Sequence, residues 1–145
     1  MKIKRPKDIY YSEHHLWLKM EENNEAIIGV TDYLIRNIET INSIRLPKPK
    51  SVIQQDEFLC EIDTDEGITT LISPVSGKVL NINETLLKNC GLLLEDNYDD
   101  GWLVKIKLSD PIEFGILISY DEYNEFIENE LEVLDEEEEE EEKIE

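Results

Sequence analysis

Short apolar segments, separated at close intervals by turn-forming residues, limit what this chain can fold into. Each segment is too short for a core helix and has the aromatic or β-branched content of a strand. The predicted strands are Tyr10–Leu18, Ala26–Val30, Ile41–Leu46, Glu57–Ile62, Ile68–Ile72, Lys78–Ile82 and Trp102–Leu108. Many short strands with helices only at the periphery predict a mainly β fold, a small barrel or sandwich.

Helix signals are few and lie between or after these strands. Thr31 and Asn83 are predicted N-caps of two short helices. Ser119 is the predicted cap of a final helix, whose apolar residues keep a spacing of three to four. This stripe, expected to pack on the domain itself, is Tyr120, Tyr123, Ile127, Leu131 and Leu134.

The acidic excess is concentrated at one end of the chain. The 145 residues include 35 acids against 14 lysines and arginines, and residues 121–145 hold 15 of those acids and one base. The net charge of −21 disfavours nucleic acid and anionic lipid, which both need cations at the contact. A run of seven glutamates, Glu136–Glu142, predicts a solvated, disordered tail over 135–145.

Neither a membrane span nor a secretory signal is predicted. No apolar run approaches the roughly 18 residues of a membrane helix. The basic start is not followed by an apolar stretch, so residues 1–9 are interpreted as a leader before one domain over 10–134.

Cys60 and Cys90 form no CxxC motif. We therefore expect reduced thiols and a cytoplasmic protein, with a disulfide between them as the less favoured alternative.

Six short motifs occur in the order and spacing of one known protein family. They are Tyr11–Trp17, Ile28–Tyr33, Ile44–Pro47, Ser73–Val79, Asn81–Asn83 and Asp100–Ile106. They resemble the patterns Y-[TS]-x-E-H-E-W, I-G-I-T-D-[HY], V-E-L-P, [SA]-P-V-S-G-x-V, V-N and G-[DE]-G-W-[LI]-x-K-[IV] of the glycine cleavage system H protein family. Each motif alone is weak, but six in order over residues 10–123 are specific.

This resemblance implies a barrel-sandwich hybrid, the lipoyl-domain-like fold of antiparallel strands with short flanking helices, here with a C-terminal helix added. In the family, a lipoyl group on one hairpin-tip lysine carries an aminomethyl group between enzymes, so the cofactor supplies the chemistry. The resemblance therefore implies a carrier-like or binding protein that is not an enzyme and has no catalytic residues. Its implied protein partners are lipoate ligase or glycine-cleavage-type enzymes.

The predicted hairpin tip departs from the family at the modified residue. Counting from the flanking motifs places either Glu66 or Asp65 at the lipoyl-lysine position, and no lysine occurs between Lys50 and Lys78. Lipoylation forms an amide and needs a primary amine on an exposed turn, which a carboxylate cannot replace. We therefore expect no lipoate and no other cofactor on this chain.

Two polar turns form the candidate contact region for a partner. One is the hairpin tip, and the other is the turn that follows the return strand. The candidate contact residues are Asp63, Asp65, Glu66, Gly67, Ser73, Pro74, Ser76 and Gly77.

Metal and thiol chemistry are weaker interpretations. The alternating carboxylates of Asp63–Gly67 suit calcium, but the other ligands of a calcium loop are missing. His14 and His15 are adjacent on a predicted strand and therefore point to opposite faces. A thiol at Cys60 could replace the lipoyl arm, but a mid-strand cysteine is usually buried. We expect no metal site.

Two functions stay open at this point. The favoured one is a non-catalytic, regulatory pseudo-carrier that uses the carrier's recognition surface without carrying a group. The alternative is an active lipoyl (aminomethyl) carrier of a glycine-cleavage or related sulfur pathway, modified at an unexpected residue such as Lys78 or Cys60. A stand-alone enzyme is disfavoured because the chain shows no nucleophile–base pair and no phosphate loop.

Overall fold

Two antiparallel sheets packed face to face make up the fold. The structure is a computed structural model that describes residues 5–144. Its strands are β1 (Tyr10–Tyr11), β2 (Leu16–Met20), β3 (Glu25–Val30), β4 (Ile41–Arg45), β5 (Val52–Ile53), β6 (Phe58–Thr64), β7 (Gly67–Ile72), β8 (Gly77–Ile82) and β9 (Val104–Leu108). Sheet A has the order β1-β2-β3-β9-β8-β5, and sheet B has the order β4-β6-β7.

The helices lie at the edges of this sandwich. They are α1 (Asp32–Ile35), α2 (Glu84–Lys88), α3 (Leu92–Glu95), a 3₁₀ helix (Pro111–Ile116) and α4 (Tyr120–Ile144). The predicted fold class, mainly β with short flanking helices and a C-terminal helix, is confirmed. Among the described residues, no helix is long and apolar enough to cross a membrane.

Strand alternation explains where the core forms. In β2, Leu16 and Leu18 are fully buried in the main apolar cluster, which is the core of the domain. Trp17 belongs to a second apolar cluster that also contains Tyr123 and Ile127 of α4. The side of β2 opposite the core is therefore covered by the first part of α4, where Tyr123 and Ile127 of the predicted stripe pack. Leu131 of the stripe is 44% exposed, and the side chain of Leu134 lies outside the described residues.

Several predicted elements differ in detail. The first predicted strand is split into β1 and β2 at His15, whose φ is 67°, outside the strand region. The sequence did not indicate β5 or α3, because elements of two and four residues carry almost no periodic signal. Trp102, predicted as the first residue of the last strand, lies just before β9 and is half-buried.

Helix α4 is longer than predicted. Its N-terminus is a reciprocal cap, in which Glu122 N donates to Ser119 Oγ at 3.3 Å and Ser119 N donates to the Glu122 carboxylate at 3.2 Å. The helix then continues to Ile144, into the segment 135–145 for which the sequence predicts a disordered tail. Glutamate is a good helix former, and extending an anchored helix needs no new nucleus.

The start of the chain is held against the domain. Arg5 forms a two-pronged ion pair with Asp32, with both N···O distances at 2.8 Å. Its guanidinium also lies 5.2 Å from the centre of the Tyr123 ring. Residues 5–9 are thus part of the folded unit, in contrast to the predicted leader, whose first four residues lie outside the described range.

Candidate functional site

The hairpin of β6 and β7 ends in a two-residue turn. Asp65 and Glu66 occupy this turn, because Thr64 and Gly67 form the last pair of the ladder. The Thr64 hydroxyl donates to the Gly67 carbonyl oxygen at 2.9 Å and accepts from the Glu66 amide at 3.2 Å. Gly67 has a φ of +129°, a conformation that other residues rarely adopt. Local sequence therefore makes Asp65 and Glu66 the outermost residues of the hairpin.

The tip is exposed and negatively charged. Asp65 and Glu66 are exposed, and Asp63 is half-buried one position before Thr64. A small groove beside the turn is lined by Asn37, Ile38, Glu39, Thr40, Thr64, Asp65 and Glu66. Every lining residue is neutral or acidic. The charge of the groove favours a partner that presents lysine or arginine.

The tip offers no amine for amide formation. Residues 51–77 contain no lysine. The flanking lysines both belong to the region of sheet A: Lys78 lies in β8, and the Lys50 amide donates to Val79 O of the same strand at 2.7 Å. The tip belongs to sheet B, on the other layer of the sandwich.

Cys60 is unsuitable as a substitute attachment point. Its side chain is fully buried in β6, and this burial raises the pKa of the thiol well above its ordinary value. The thiol therefore stays protonated, and the thiolate is the reactive form. Both Cys60 and Cys90 are free thiols in the structure. The interpretation of Cys60 as a buried core residue is confirmed.

The two predicted contact turns do not lie together. Strand β7 separates them, and its six residues span roughly 20 Å. In addition, Ser73, Pro74, Ser76 and Gly77 are all buried. That this second turn contacts a partner stays a prediction, and its burial leaves Asp65, Glu66 and Gly67 of the tip as the exposed part of the predicted contact region.

Hydrogen bonds and close packing hold the buried turn at Ser73–Gly77 in place. Ser76 N and Oγ donate to the two carboxylate oxygens of Glu113 at 2.9 and 2.8 Å. The Gln55 amide donates to the Ser76 hydroxyl at 2.8 Å. A Cβ placed on Gly77 would lie 2.4 Å from Lys107 O. Hydrogen bonds to Glu113 thus attach this turn to the 3₁₀ helix. The close approach at Gly77 leaves no room for a side chain there.

A polar chain holds α4 against sheet A. The Tyr123 hydroxyl lies 2.7 Å from Thr31 Oγ1 and 2.8 Å from His15 Nδ1. His15 Nε2 in turn lies 3.3 Å from the Glu130 carboxylate. Burial lowers the pKa of His15, although the Glu130 carboxylate acts to raise it. These contacts give His15 a structural role between α4 and sheet A.

A second polar chain surrounds Asp32. The Tyr98 hydroxyl donates to its carboxylate, and the Asp32 amide donates to the Tyr98 hydroxyl at 3.0 Å. Burial acts to raise the pKa of Asp32, but hydrogen bonds from Arg5 and Tyr98 outweigh it and hold the pKa below its usual range. The sequence does not predict these contacts, because nothing local links Asp32 to partners 27 and 66 residues away.

A cluster of three carboxylates lies outside the hairpin tip. Asp96, Asp99 and Asp100 bring their oxygens within 4.8 Å of one another. Asp99 and Asp100 are exposed. One Asp96 carboxylate oxygen already accepts from the Asp100 amide at 3.1 Å. The geometry is that of a solvated acidic turn.

Comparison with known proteins agrees with this architecture. The family model described as glycine cleavage H-protein matches residues 9–130. A glycine cleavage system H protein of Halothermothrix orenii is 35% identical over 123 residues, which cover 85% of this chain and 95% of that protein. The mitochondrial glycine cleavage system H protein 2 of Arabidopsis thaliana is 32% identical, covering 86% of this chain and 79% of its own.

A solved structure supports the fold independently. The crystal structure of a glycine cleavage system H protein from Mycobacterium marinum superposes with a TM-score of 0.72 at 20% identity, covering 82% of this chain and 95% of that one. The family match spans both sheets and the first part of α4, up to Glu130. The chain therefore belongs to the glycine cleavage H-protein family.

Proposed function

We propose that this chain is a pseudo-carrier, a member of the H-protein family that binds partner proteins and carries no lipoyl group. One observation carries the proposal: the two-residue hairpin tip consists of Asp65 and Glu66. The lysine that the family modifies at such a tip has no counterpart anywhere in residues 51–77. A carboxylate in that place cannot accept lipoate as an amide.

The partners would be proteins that recognise H proteins, such as lipoate ligase or enzymes of the glycine-cleavage type. An acidic tip that resembles the carrier in shape can occupy their recognition site without being modified. The protein would then compete with a true carrier or hold an assembly together. Either action is non-catalytic and regulatory.

The alternative is an active carrier modified away from the tip. Lys78 is exposed, but it lies within β8 with Val52 and Lys107 as neighbours on both sides. A lysine inside a strand lacks the reach of a residue on a turn, because the flanking strands restrict the approach of a modifying enzyme. Burial of Cys60 removes the other alternative attachment point.

A gain-of-function experiment tests the proposal. The wild-type chain, Glu66→Lys and the control Glu57→Lys are each incubated with lipoate ligase, lipoate and ATP, and their intact masses are measured. Glu57 is exposed but lies just before β6, away from the tip. We expect the mass of one lipoyl group to appear on Glu66→Lys alone. Modification of the wild-type chain would contradict the proposal.

A further inference from the structure

Four lysines lie on the outer face of sheet A, within a chain that is otherwise strongly acidic. Lys105 and Lys107 alternate with the buried Val104 and Ile106 of β9, so both point away from the core. Cross-strand pairing places Lys78 of β8 opposite Lys107 and Lys19 of β2 opposite Ile27. We refer to Lys19, Lys78, Lys105 and Lys107 as the lysine face.

The pairing of Lys78 with Lys107 works against stability. Like charges directly opposite each other on antiparallel strands are destabilising, and both residues are exposed. The other cross-strand neighbour of Lys78 is Val52, which is 64% exposed. Within the described part of the chain, Lys78 makes no ion pair. The contacts within the fold therefore give no stabilising role to the pair of Lys78 and Lys107.

Carboxylates neutralise only one side of the face. Lys105 Nζ lies 3.9 Å from a Glu21 carboxylate oxygen, and Glu25 is the cross-strand neighbour of Lys107. The Lys107 ammonium also donates to the Asn23 carbonyl oxygen. The side of the face nearer β5 therefore keeps its positive charge.

An apolar groove adjoins the lysines. It is lined by Ile27, Ile82 and Trp102, together with Asn81 and Lys105. Asn81 is the cross-strand neighbour of Lys105, so the groove opens directly onto the lysine face. Trp102 is half-buried and leaves part of its ring at the surface. An apolar patch beside exposed cations suits a segment that carries both an apolar side chain and carboxylates.

We propose that the lysine face and this groove bind an acidic peptide segment of a partner protein, with an apolar side chain in the groove and carboxylates on Lys78 and Lys107. Charge complementarity selects the occupant. A nucleic acid is a poorer fit, because its phosphates match the lysines but it offers no aliphatic side chain for the groove. This inference goes beyond the proposed function, since the hairpin tip belongs to sheet B and the lysine face to sheet A.

The experiment uses the full chain and two labelled probe peptides. One repeats the triplet Glu-Glu-Leu, and the other repeats Gln-Gln-Leu with the same length. Binding is followed by fluorescence anisotropy at two salt concentrations. We expect the acidic peptide to bind, with an affinity that falls as salt rises, and the uncharged peptide to bind at least tenfold more weakly.

Charge-reversal variants locate the binding. Lys78→Glu should reduce the affinity at least tenfold while the thermal midpoint stays equal or rises, because the like-charge pair is gone. Lys88→Glu on α2 carries the same change in net charge at an exposed site outside the face and should bind as wild type does. This stability readout separates lost binding from lost folding.

Three results would overturn the inference. They are equal binding of both peptides, equal loss of binding in Lys78→Glu and Lys88→Glu, and tighter binding of single-stranded DNA than of the acidic peptide. A salt-dependent self-association removed by Lys78→Glu would also overturn it, because the occupant would then be a second copy of this chain. None of these outcomes depends on whether the hairpin tip is lipoylated.

Discussion

Single residues in this protein are constrained most tightly where strands approach each other closely. At Gly77, a Cβ would lie 2.4 Å from the Lys107 carbonyl oxygen, which belongs to the backbone and cannot rotate away. At Tyr123, one hydroxyl serves both Thr31 and His15. The sequence predicts Tyr123 on the apolar face of a helix and Gly77 in a turn. It does not predict the contacts of these two residues, because the partners lie tens of residues away along the chain.

Substitution of Gly77 should test the close approach. Gly77→Ala is expected to lower the free energy of unfolding by about 3 kcal/mol, the upper range for an overpacked site. Gly115→Ala is the matched control, because a Cβ there meets nothing within 4 Å. Urea denaturation measures both. Equal effects of the two changes would show that β8 and β9 are not in the contact described.

Removal of the Tyr123 hydroxyl should test the polar chain under α4. Tyr123→Phe leaves Thr31 and His15 without this partner in a buried place, with an expected cost of about 1–3 kcal/mol. Tyr120→Phe, at a half-buried position on the same helix, should cost less than about 0.5 kcal/mol. Chemical denaturation of the two variants side by side decides the point.

Among the elements, short strands were predictable and their spatial relations were not. Alternation identified β3, β7 and β8 within one or two residues. Alternation gives the positions of strands along the chain but not the distances between turns. It therefore could not show that β7 separates the tip from the turn at Ser73–Gly77. Helix α4 shows that local composition can also suggest too little structure. Glutamate repulsion suggested disorder, but the helix begins at an anchored, capped turn and propagates from there.

The anchoring of α4 should depend on pH through His15. Burial lowers the pKa of His15 in the folded state below the unfolded value of about 6.5. The unfolded chain therefore takes up the proton first, and the stability contributed by neutral His15 is present above pH 6.5 and lost as the pH falls below it. The groups that face this ring are Tyr33, Arg36, Tyr123, Phe126 and Glu130.

This pH dependence can be isolated by replacing His15. Between pH 7.5 and 5.5, His15→Asn should show a smaller loss of unfolding free energy than the wild type, and asparagine tolerates the positive φ at this position. Identical slopes for His15→Asn and wild type would remove His15 as the source.

At the scale of the whole molecule, the fold of the family and the chemistry of the tip point in different directions. The two-sheet sandwich was predictable, because strand periodicity and six ordered motifs agree. The distribution of charge over the surface could not be predicted from local sequence. The acidic tip and the lysine face lie on different sheets, and only the strand register brings Lys78 beside Lys107. A chain built this way presents two surfaces of opposite sign, suited to different partners.

Charge reversal at the tip should weaken the first of these interactions. The double variant Asp65→Lys/Glu66→Lys is expected to lose about tenfold in affinity for a glycine-cleavage-type enzyme that binds the wild-type chain, equivalent to ~1.4 kcal/mol. For this titration, Lys105 and Lys107 stay unchanged, so the lysine face is intact. Unchanged affinity would exclude the tip from the interface.

The intact mass of the protein isolated from its native source tests the central claim most directly. The account predicts a mass that equals the sequence, with no lipoyl group, because the hairpin tip offers Asp65 and Glu66 and no amine. A mass greater by one lipoyl group, mapped by peptide sequencing to Lys50 or Lys78, would contradict the account and establish an active carrier.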